Sequence, residues 1–312
     1  GRLSSKNPNL QNIPSRHKEL SKAVRKAWII EPGMCRIHCD YSQIELRILG
    51  WATGCPNFVQ PYESPAYDAY LRGDIDYNSY VWYRIHEPEV DVHGNTAQSA
   101  FGVHHADPEW AVKRSAAKII NFGVPYGGGP GLLMGDPNLR LSPSDAQTYF
   151  EAYHRRNPEI SHAKQNLFAH MKANRDGGFG PSFVNWAGRV RHGPRLLWQR
   201  RRGGDCPVAE EERSMFASNI QGSAGELTRF ALVKLWWAQQ TGKLPAKTTT
   251  TVHDDIGVDC RKSDRRYVAY EVRRLMEDFK GLFGRIPVVA DLEVTDTTWA
   301  DKADYEPLKE AA

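Results

Sequence analysis

The stretch Cys35-Arg36-Ile37-His38-Cys39-Asp40-Tyr41-Ser42-Gln43-Ile44-Glu45-Leu46-Arg47 decides the reading of this chain. Residues 35–40 alternate as a half-buried strand does, and the Pro32-Gly33 turn precedes them. Ser42-Gln43-Ile44-Glu45 has the form of a capping box, and Ile44, Ile48 and Leu49 then mark a helical stripe. A strand therefore runs into a helix around Asp40. A second acidic site follows the same logic. The β-rich runs Thr248–Val252 and Ile256–Asp259 flank His253-Asp254-Asp255, which predicts a hairpin with two carboxylates at its tip. If Asp40 and the hairpin acids converge, they make a hard-oxygen site suited to Mg²⁺. Taken singly, each Asp reads more simply as a turn residue, and Glu45 as a cap worth on the order of 1 kcal/mol.

Working outward, the chain opens through Pro14 as an extended polar loop, and residues 55–110 read as short helices joined by loops. Val112–Val124 predicts a clearer helix, along which Arg114, Lys118, Phe122 and Tyr126 recur every fourth residue. Each step drifts only about 40°, so two cations and two aromatics form a slowly winding stripe. A phosphate chain carrying a sugar and base would meet them in order. Alone, the stripe reads equally as a solvated cationic turn followed by two core aromatics. Pro125 removes a backbone donor and crowds the carbonyl of Asn121, so the helix should kink or end near Val124. Helices are further predicted at Ser142–Tyr153, Pro158–Ala173, Glu210–Gln240 and Asp264–Phe283, a hairpin within Gly177–Gly193, and a strand at Val288–Val294. A basic stretch with Arg189, Arg191, Arg195, Arg200, Arg201 and Arg202 follows the first hairpin.

Composition narrows the class. The 312 residues carry 41 Lys and Arg against 37 Asp and Glu, a net charge of +4, with 40% hydrophobic residues. Such a chain buries a core and is too apolar to be disordered. No run is long and apolar enough for a membrane span, and no signal peptide is visible, so membrane and secretory readings fall away and a cytoplasmic one is left. The 5 cysteines include no CxxC pair, which argues for reduced thiols and against structural zinc, although Cys35 and Cys39 could approach each other. The chain opens at Gly1 without Met, as though cut from a longer protein.

The segments, in their order, resemble the family A DNA polymerases, the DNA polymerase I-like enzymes. Gly1-Arg2-Leu3-Ser4-Ser5 with Pro8-Asn9-Leu10-Gln11-Asn12-Ile13-Pro14 is similar to the family's primer-contacting segment. Asp40 to Arg47 resembles its motif A, Arg114 to Gly127 its motif B, and His253-Asp254-Asp255 its motif C. The resemblance implies an α+β fold: an antiparallel palm sheet with helices, interrupted by a mainly helical fingers insertion. Palm would occupy residues 1–47 and 209–312, and fingers 48–208. It implies a DNA-directed DNA polymerase acting in replication or repair, of phage or bacterial origin. Asp40 and Asp254 would hold two Mg²⁺ ions, with the Tyr41 backbone carbonyl and, weakly, Asp255. Lys118 and Arg114 would grip the nucleotide's phosphates, Lys118 also protonating the leaving pyrophosphate. Phe122 would pack on the incoming nucleotide, Tyr126 would stack near the templating base, and Glu45 would crowd the sugar 2′ position. Arg2, Gln11, Arg213, Gln221 and His253 would touch primer-template DNA.

Departures from the family pattern qualify that transfer. Pro125 stands where a non-proline residue is usual, and Asp255 replaces the more usual Glu. Asp76 stands where His is common, and Ala217 where Asn is usual; each change would remove a polar contact. The thumb and exonuclease domains that precede this region in the family are expected from a longer chain or a separate subunit. The rival readings are a non-catalytic DNA-binding protein that keeps the fold, and a two-metal nuclease. The nuclease has no use for the Arg114–Tyr126 stripe.

Overall fold

The computed structural model describes residues 3–7, 9, 11, 18–88, 90–135, 139, 141–174, 179–198 and 206–308. In chain order the elements are α1 (Lys18–Arg25), β1 (Met34–Tyr41), α2 (Ile44–Thr53), α3 (Pro56–Val59), α4 (Pro65–Arg72), α5 (Tyr77–Arg84), α6 (Val92–Phe101), α7 (Trp110–Gly123), α8 (Gly131–Met134), α9 (Pro143–Arg156) and α10 (Pro158–Ala173). There follow β2 (Ser182–Val184), β3 (Val190–His192), α11 (Pro207–Gln240), β4 (Ala246–Val252), β5 (Asp255–Arg261), α12 (Arg265–Glu277), β6 (Ala290–Thr295) and β7 (Ala303–Asp304). The fold is α+β, as expected.

These elements divide into two compact units. The first comprises Gly1–Ile44, Ala224–Leu282 and Pro287–Ala312; the second comprises Glu45–Ser223 and Phe283–Ile286. Helix α11 contributes residues to both.

The first unit is built on an antiparallel sheet of order β4-β5-β1-β6-β7. The central strand β1 buries Cys35, Ile37, Cys39 and Tyr41 on the face shared with Val268, Val272 and Met276 of α12. Tyr41 closes that face by donating its hydroxyl to the Met276 carbonyl at 2.9 Å. Alternation predicts a solvated opposite face for β1. Instead Arg36 and His38 are buried there, and Asp40 is the strand's one exposed residue. Each buried cationic or titratable side chain has a carboxylate partner, the condition under which such groups leave water. Arg36 makes a bidentate pair with Asp259 at 2.6 and 2.8 Å. His38 reaches Asp255, and its ring stacks on Trp299 with centroids 5.3 Å apart.

The last predicted helix is shorter than expected. It stops at Glu277 because the backbone leaves helical dihedrals at Asp278, with ψ +62°, and the Glu277 carboxylate accepts the Ala290 amide of β6 at 2.8 Å. Residues 278–283 are irregular, with Gly281 at φ +73°. The short helix α1 and the edge strand β7 carry too few periodic residues to have been predicted.

The second unit is mainly helical. Ser142 caps α9 by accepting the Asp145 amide, with Pro143 in the first turn, and the β2–β3 hairpin forms as predicted. Met171, Phe183, Leu196 and Met215 make one buried cluster, and Ala97, Val103 and Ala117 another beneath Phe101 and Trp110. The latter seats the buried face of α7, which carries Ala116, Ala117, Ile120 and Asn121.

Candidate active site

Two chemically distinct sets of side chains stand out, one in each unit. In the first, strand register brings the acids together. Asp40 faces Asp255 on β5 and Asp291 on β6 directly across the ladder. Residues opposite each other in an antiparallel ladder share a face at about 5 Å, and like charges there repel. Asp40 keeps contact with solvent, but the surrounding protein displaces part of its hydration, which raises its pKa first; the charges of Asp254 and Asp255 raise it further, to about 8, with Lys302 opposing. A cation in their midst would relieve that excess of negative charge.

The hairpin tip is held by a residue from far along the chain. Gln11 donates from Nε2 to the Thr251 carbonyl at 2.6 Å and accepts the His253 amide on Oε1 at 2.8 Å. His253 takes φ +58°, a left-handed conformation uncommon outside glycine, and the clamp holds the turn on either side of it. The Gln11 amide thus positions the turn that presents Asp254. Asp255 is engaged by another partner: its carboxylate oxygens lie 3.0 and 3.2 Å from His38 Nδ1 and can only accept there.

Among the described residues no group of three or more His, Cys, Asp or Glu side chains is arranged to hold a metal ion. The donor set still fits a hard divalent cation. Mg²⁺ is commonly held by one or two carboxylates and completes its shell with water and substrate phosphate, without an all-protein cage. Asp40 and Asp254, whose charges act on each other, are two carboxylates of that kind.

In the second unit, the predicted stripe lies along α7. Arg114, Lys118 and Phe122 are exposed and Tyr126 is half-buried, whereas the helix face behind them is buried. Pro125 acts as predicted: α7 ends at Gly123, and a 3-10 turn, Val124–Tyr126, follows. The Val124 carbonyl is taken by the Gly127 amide at 2.9 Å and approached by Lys164 Nζ at 3.5 Å. Tyr126 donates its hydroxyl to Glu45 Oε2 at 2.9 Å, and Gln221 Nε2 lies 3.5 Å from the same oxygen. Three of the predicted side chains are thereby brought together. Arg213, Ala217 and Gln221 recur every four residues on α11, and the Arg213 stem lies against Gly127. Arg2 falls outside the described residues, as do Arg200, Arg201 and Arg202. Arg195 of the same basic stretch is paired with Glu210 and Glu211 at 2.8 and 2.7 Å.

Two residues beside the stripe escaped the sequence reading. Asp91 caps α6 by accepting the Gly94 amide, and its other oxygen accepts from Arg114 Nε at 2.8 Å. His93 accepts from the Asn121 side chain at 3.1 Å, with its ring 5.5 Å from that of Phe122. Burial, then the charges of Lys118 and Arg114, push its pKa down to about 4, so the ring is neutral. An Asp-x-His signal at a helix start was available. The sequence reading had looked instead at Asp76, which caps α5 by accepting the Ser79 amide at 2.8 Å.

Comparison with known proteins follows this geometry. The pattern described as DNA polymerase family A matches residues 1–301. The chain is 31% identical over 297 residues to DNA polymerase I of Caldicellulosiruptor bescii, covering 94% of this chain and 30% of that protein. It is 31% identical to DNA polymerase I of Deinococcus radiodurans, over 96% of this chain and 27% of the relative. The thermostable DNA polymerase I of Thermus aquaticus is 30% identical, over 94% and 30%. The chain thus spans about 30% of the length of these curated relatives. Among solved structures, the POL domain of Pol1 from M. smegmatis, in complex with DNA primer-template and dNTP, superposes with a TM-score of 0.74 at 23% identity, covering 97% of this chain and 46% of that one.

Proposed function

Because this chain belongs to DNA polymerase family A, we propose that it catalyses template-directed addition of deoxynucleotides to a primer 3′-hydroxyl, in replication or repair. The observation that carries this reading is the presence in one chain of an acid row centred on Asp40 and a cation-then-aromatic stripe from Arg114 to Tyr126. Phosphoryl transfer needs charge neutralisation and positioning, and those two sets of side chains supply both. The palm is proposed to comprise residues 1–47 and 209–312 and the fingers 48–208; the compact units, dividing after Ile44 and Ser223, support a split of this kind.

In the proposed mechanism Asp40 and Asp254, with the Tyr41 carbonyl, would hold two Mg²⁺ ions, which supply Lewis-acid stabilisation of phosphoryl charge. Asp255 contributes weakly, since its carboxylate is engaged by His38. Arg114 and Lys118 bind the nucleotide's phosphate oxygens, and Lys118 Nζ delivers a proton to the departing pyrophosphate. Phe122 packs on base and sugar, Tyr126 stacks near the templating base, and Glu45, oriented by the Tyr126 hydroxyl, excludes a 2′-hydroxyl. Gln11, Arg213, Gln221 and His253 are proposed to touch primer-template DNA, as is Arg2, which lies outside the described residues. A thumb, on a longer chain or a separate subunit, would add the phosphate contacts that dominate duplex affinity. Among the described residues no helix is long and apolar enough to cross a membrane, and the proposed place of action is the cytoplasm.

The test is extension of a labelled primer on a short template, with Mg²⁺ and four deoxynucleotides, alongside Asp40→Ala. Extension that disappears in the variant supports the proposal. Binding of primer-template without extension, even with a thumb-containing partner added, would favour a DNA-binding protein that keeps the fold.

A further inference from the structure

Cys35 and Cys260 stand directly opposite each other in the β1–β5 ladder, with their Sγ atoms 3.5 Å apart. Cα atoms paired across an antiparallel ladder lie about 4.5 or 5.5 Å apart, and both spacings fall within the range a disulfide spans. The ladder spacing therefore permits a bond between these sulfurs. Cys39, four residues along the same strand, lies roughly 13 Å from Cys35, so the two cysteines nearest in sequence do not approach each other.

The surroundings set the two thiols apart. The hydrogen bond from Cys260, aided by the Arg265 guanidinium, lowers the Cys35 thiol below the ordinary range against the opposing effect of burial. The same hydrogen bond, together with burial, raises Cys260. Burial raises Cys39 and Cys55 as well, and Cys55 donates to Asn157 at 3.3 Å. One activated thiol thus lies in contact with one potential resolving thiol. Cys35 is the second residue of β1 and Cys260 the next to last of β5, and both are buried, so an oxidant reaches them when that end of the ladder opens locally.

We propose that Cys35 and Cys260 form a peroxide-dependent cross-strand disulfide that staples β1, the strand of Asp40, to β5, the strand of Asp255. The Cys35 thiolate attacks one oxygen of hydrogen peroxide, and the O–O bond breaks. Cys35 becomes a sulfenic acid, and the other oxygen leaves as hydroxide, which takes up a proton to form water. The Cys260 sulfur then attacks the sulfenic sulfur. The S–S bond forms as the S–O bond breaks, and the hydroxyl leaves with the Cys260 proton as a second water. Two thiols are oxidised by two electrons, and one peroxide is reduced to two waters.

The bond would close a loop between residues 225 positions apart, restricting the unfolded chain far more than the folded one. The experiment treats the reduced full chain with hydrogen peroxide, digests it without reductant and maps the peptides by mass spectrometry. A crosslinked peptide pair carrying Cys35 and Cys260 is expected, with a fall of two in titratable thiols. The thermal midpoint should rise by roughly 5 °C and return on reduction. Cys35→Ser and Cys260→Ala, each checked for a native circular dichroism spectrum before oxidation, should lose the crosslink and the rise. Recovery of both cysteines as thiols or sulfinic acids, or a midpoint rise that survives in Cys35→Ser, would overturn the proposal.

Discussion

Tyr126 holds Glu45: its hydroxyl donates to Glu45 Oε2 at 2.9 Å, tying the turn after α7 to the first turn of α2. A hydrogen bond to a charged acceptor is worth about 1.5–3 kcal/mol, part of which orients the carboxylate. If Glu45 excludes ribonucleotides, Tyr126→Phe leaves the acid in place but less fixed. Ribonucleotide use relative to deoxynucleotide use should rise by up to about tenfold, equivalent to about 1.4 kcal/mol. Glu45→Ala should raise it more. Single-nucleotide extension with matched ribo- and deoxynucleotides reads both, and an unchanged ratio in Glu45→Ala would leave the residue only its contacts within the second unit.

Asp40 faces two acids across the ladder, an arrangement that costs stability whenever all three are charged. Asp40→Asn keeps the shape and removes the charge. Its thermal midpoint in the absence of divalent ions should exceed that of the parent by a few degrees, while extension activity is lost. Added Mg²⁺ should raise the midpoint of the parent more than that of the variant, by linkage of binding to folding. Calorimetry with and without Mg²⁺ gives both comparisons, and a variant less stable than the parent would contradict the repulsion argument.

His93 links stability to pH. Its pKa lies at about 4 in the folded chain because burial, then Lys118 and Arg114, disfavour the imidazolium, with Asp91 opposing. The unfolded chain binds the proton near the ordinary value of about 6.5. Unfolded molecules therefore hold more protons between these values, so stability is full above about 6.5 and falls as pH drops toward 4. The loss from this one group is on the order of 3 kcal/mol at the lower end. His93→Gln should flatten that part of the profile. Denaturant midpoints of both proteins at several pH values measure the difference, and parallel profiles would exclude His93 as its source.

Much of this was legible because short-range chemistry dominates at particular places. Asp40 at a strand end, Pro125 ending α7 and the Ser142-Pro143 start of α9 each obey a local rule, and each element lies where that rule puts it. What could not be read depends on partners distant in sequence. Burial of Arg36 and His38 requires Asp259 and Asp255, more than two hundred residues away. The Gln11 clamp on the hairpin turn is equally remote. His93 was missed because its environment comes from α7, which no spacing within residues 91–93 discloses. Helix α12 was overextended because apolar residues continue past Glu277, whereas the backbone turns out of the helix at Asp278.

Gly127 ends the stripe in the left-handed region, at φ +88°. A Cβ there would lie 2.5 Å from both Cγ and Cδ of Arg213. Gly127→Ala therefore carries two costs: about 1–2 kcal/mol of backbone strain and displacement of the Arg213 stem. The two can be separated, because Arg213→Ala removes the stem and leaves the strain. Urea unfolding should show Gly127→Ala destabilising the parent by about 2–3 kcal/mol, and by about 1 kcal/mol less in the Arg213→Ala background. Arg213 is also a proposed DNA contact, so Gly127→Ala should weaken primer-template binding in the parent and leave it unchanged in the Arg213→Ala background. Additive stability losses would show that the arginine moves aside freely. Equal loss of binding in both backgrounds would show that Gly127 affects DNA by a route other than Arg213.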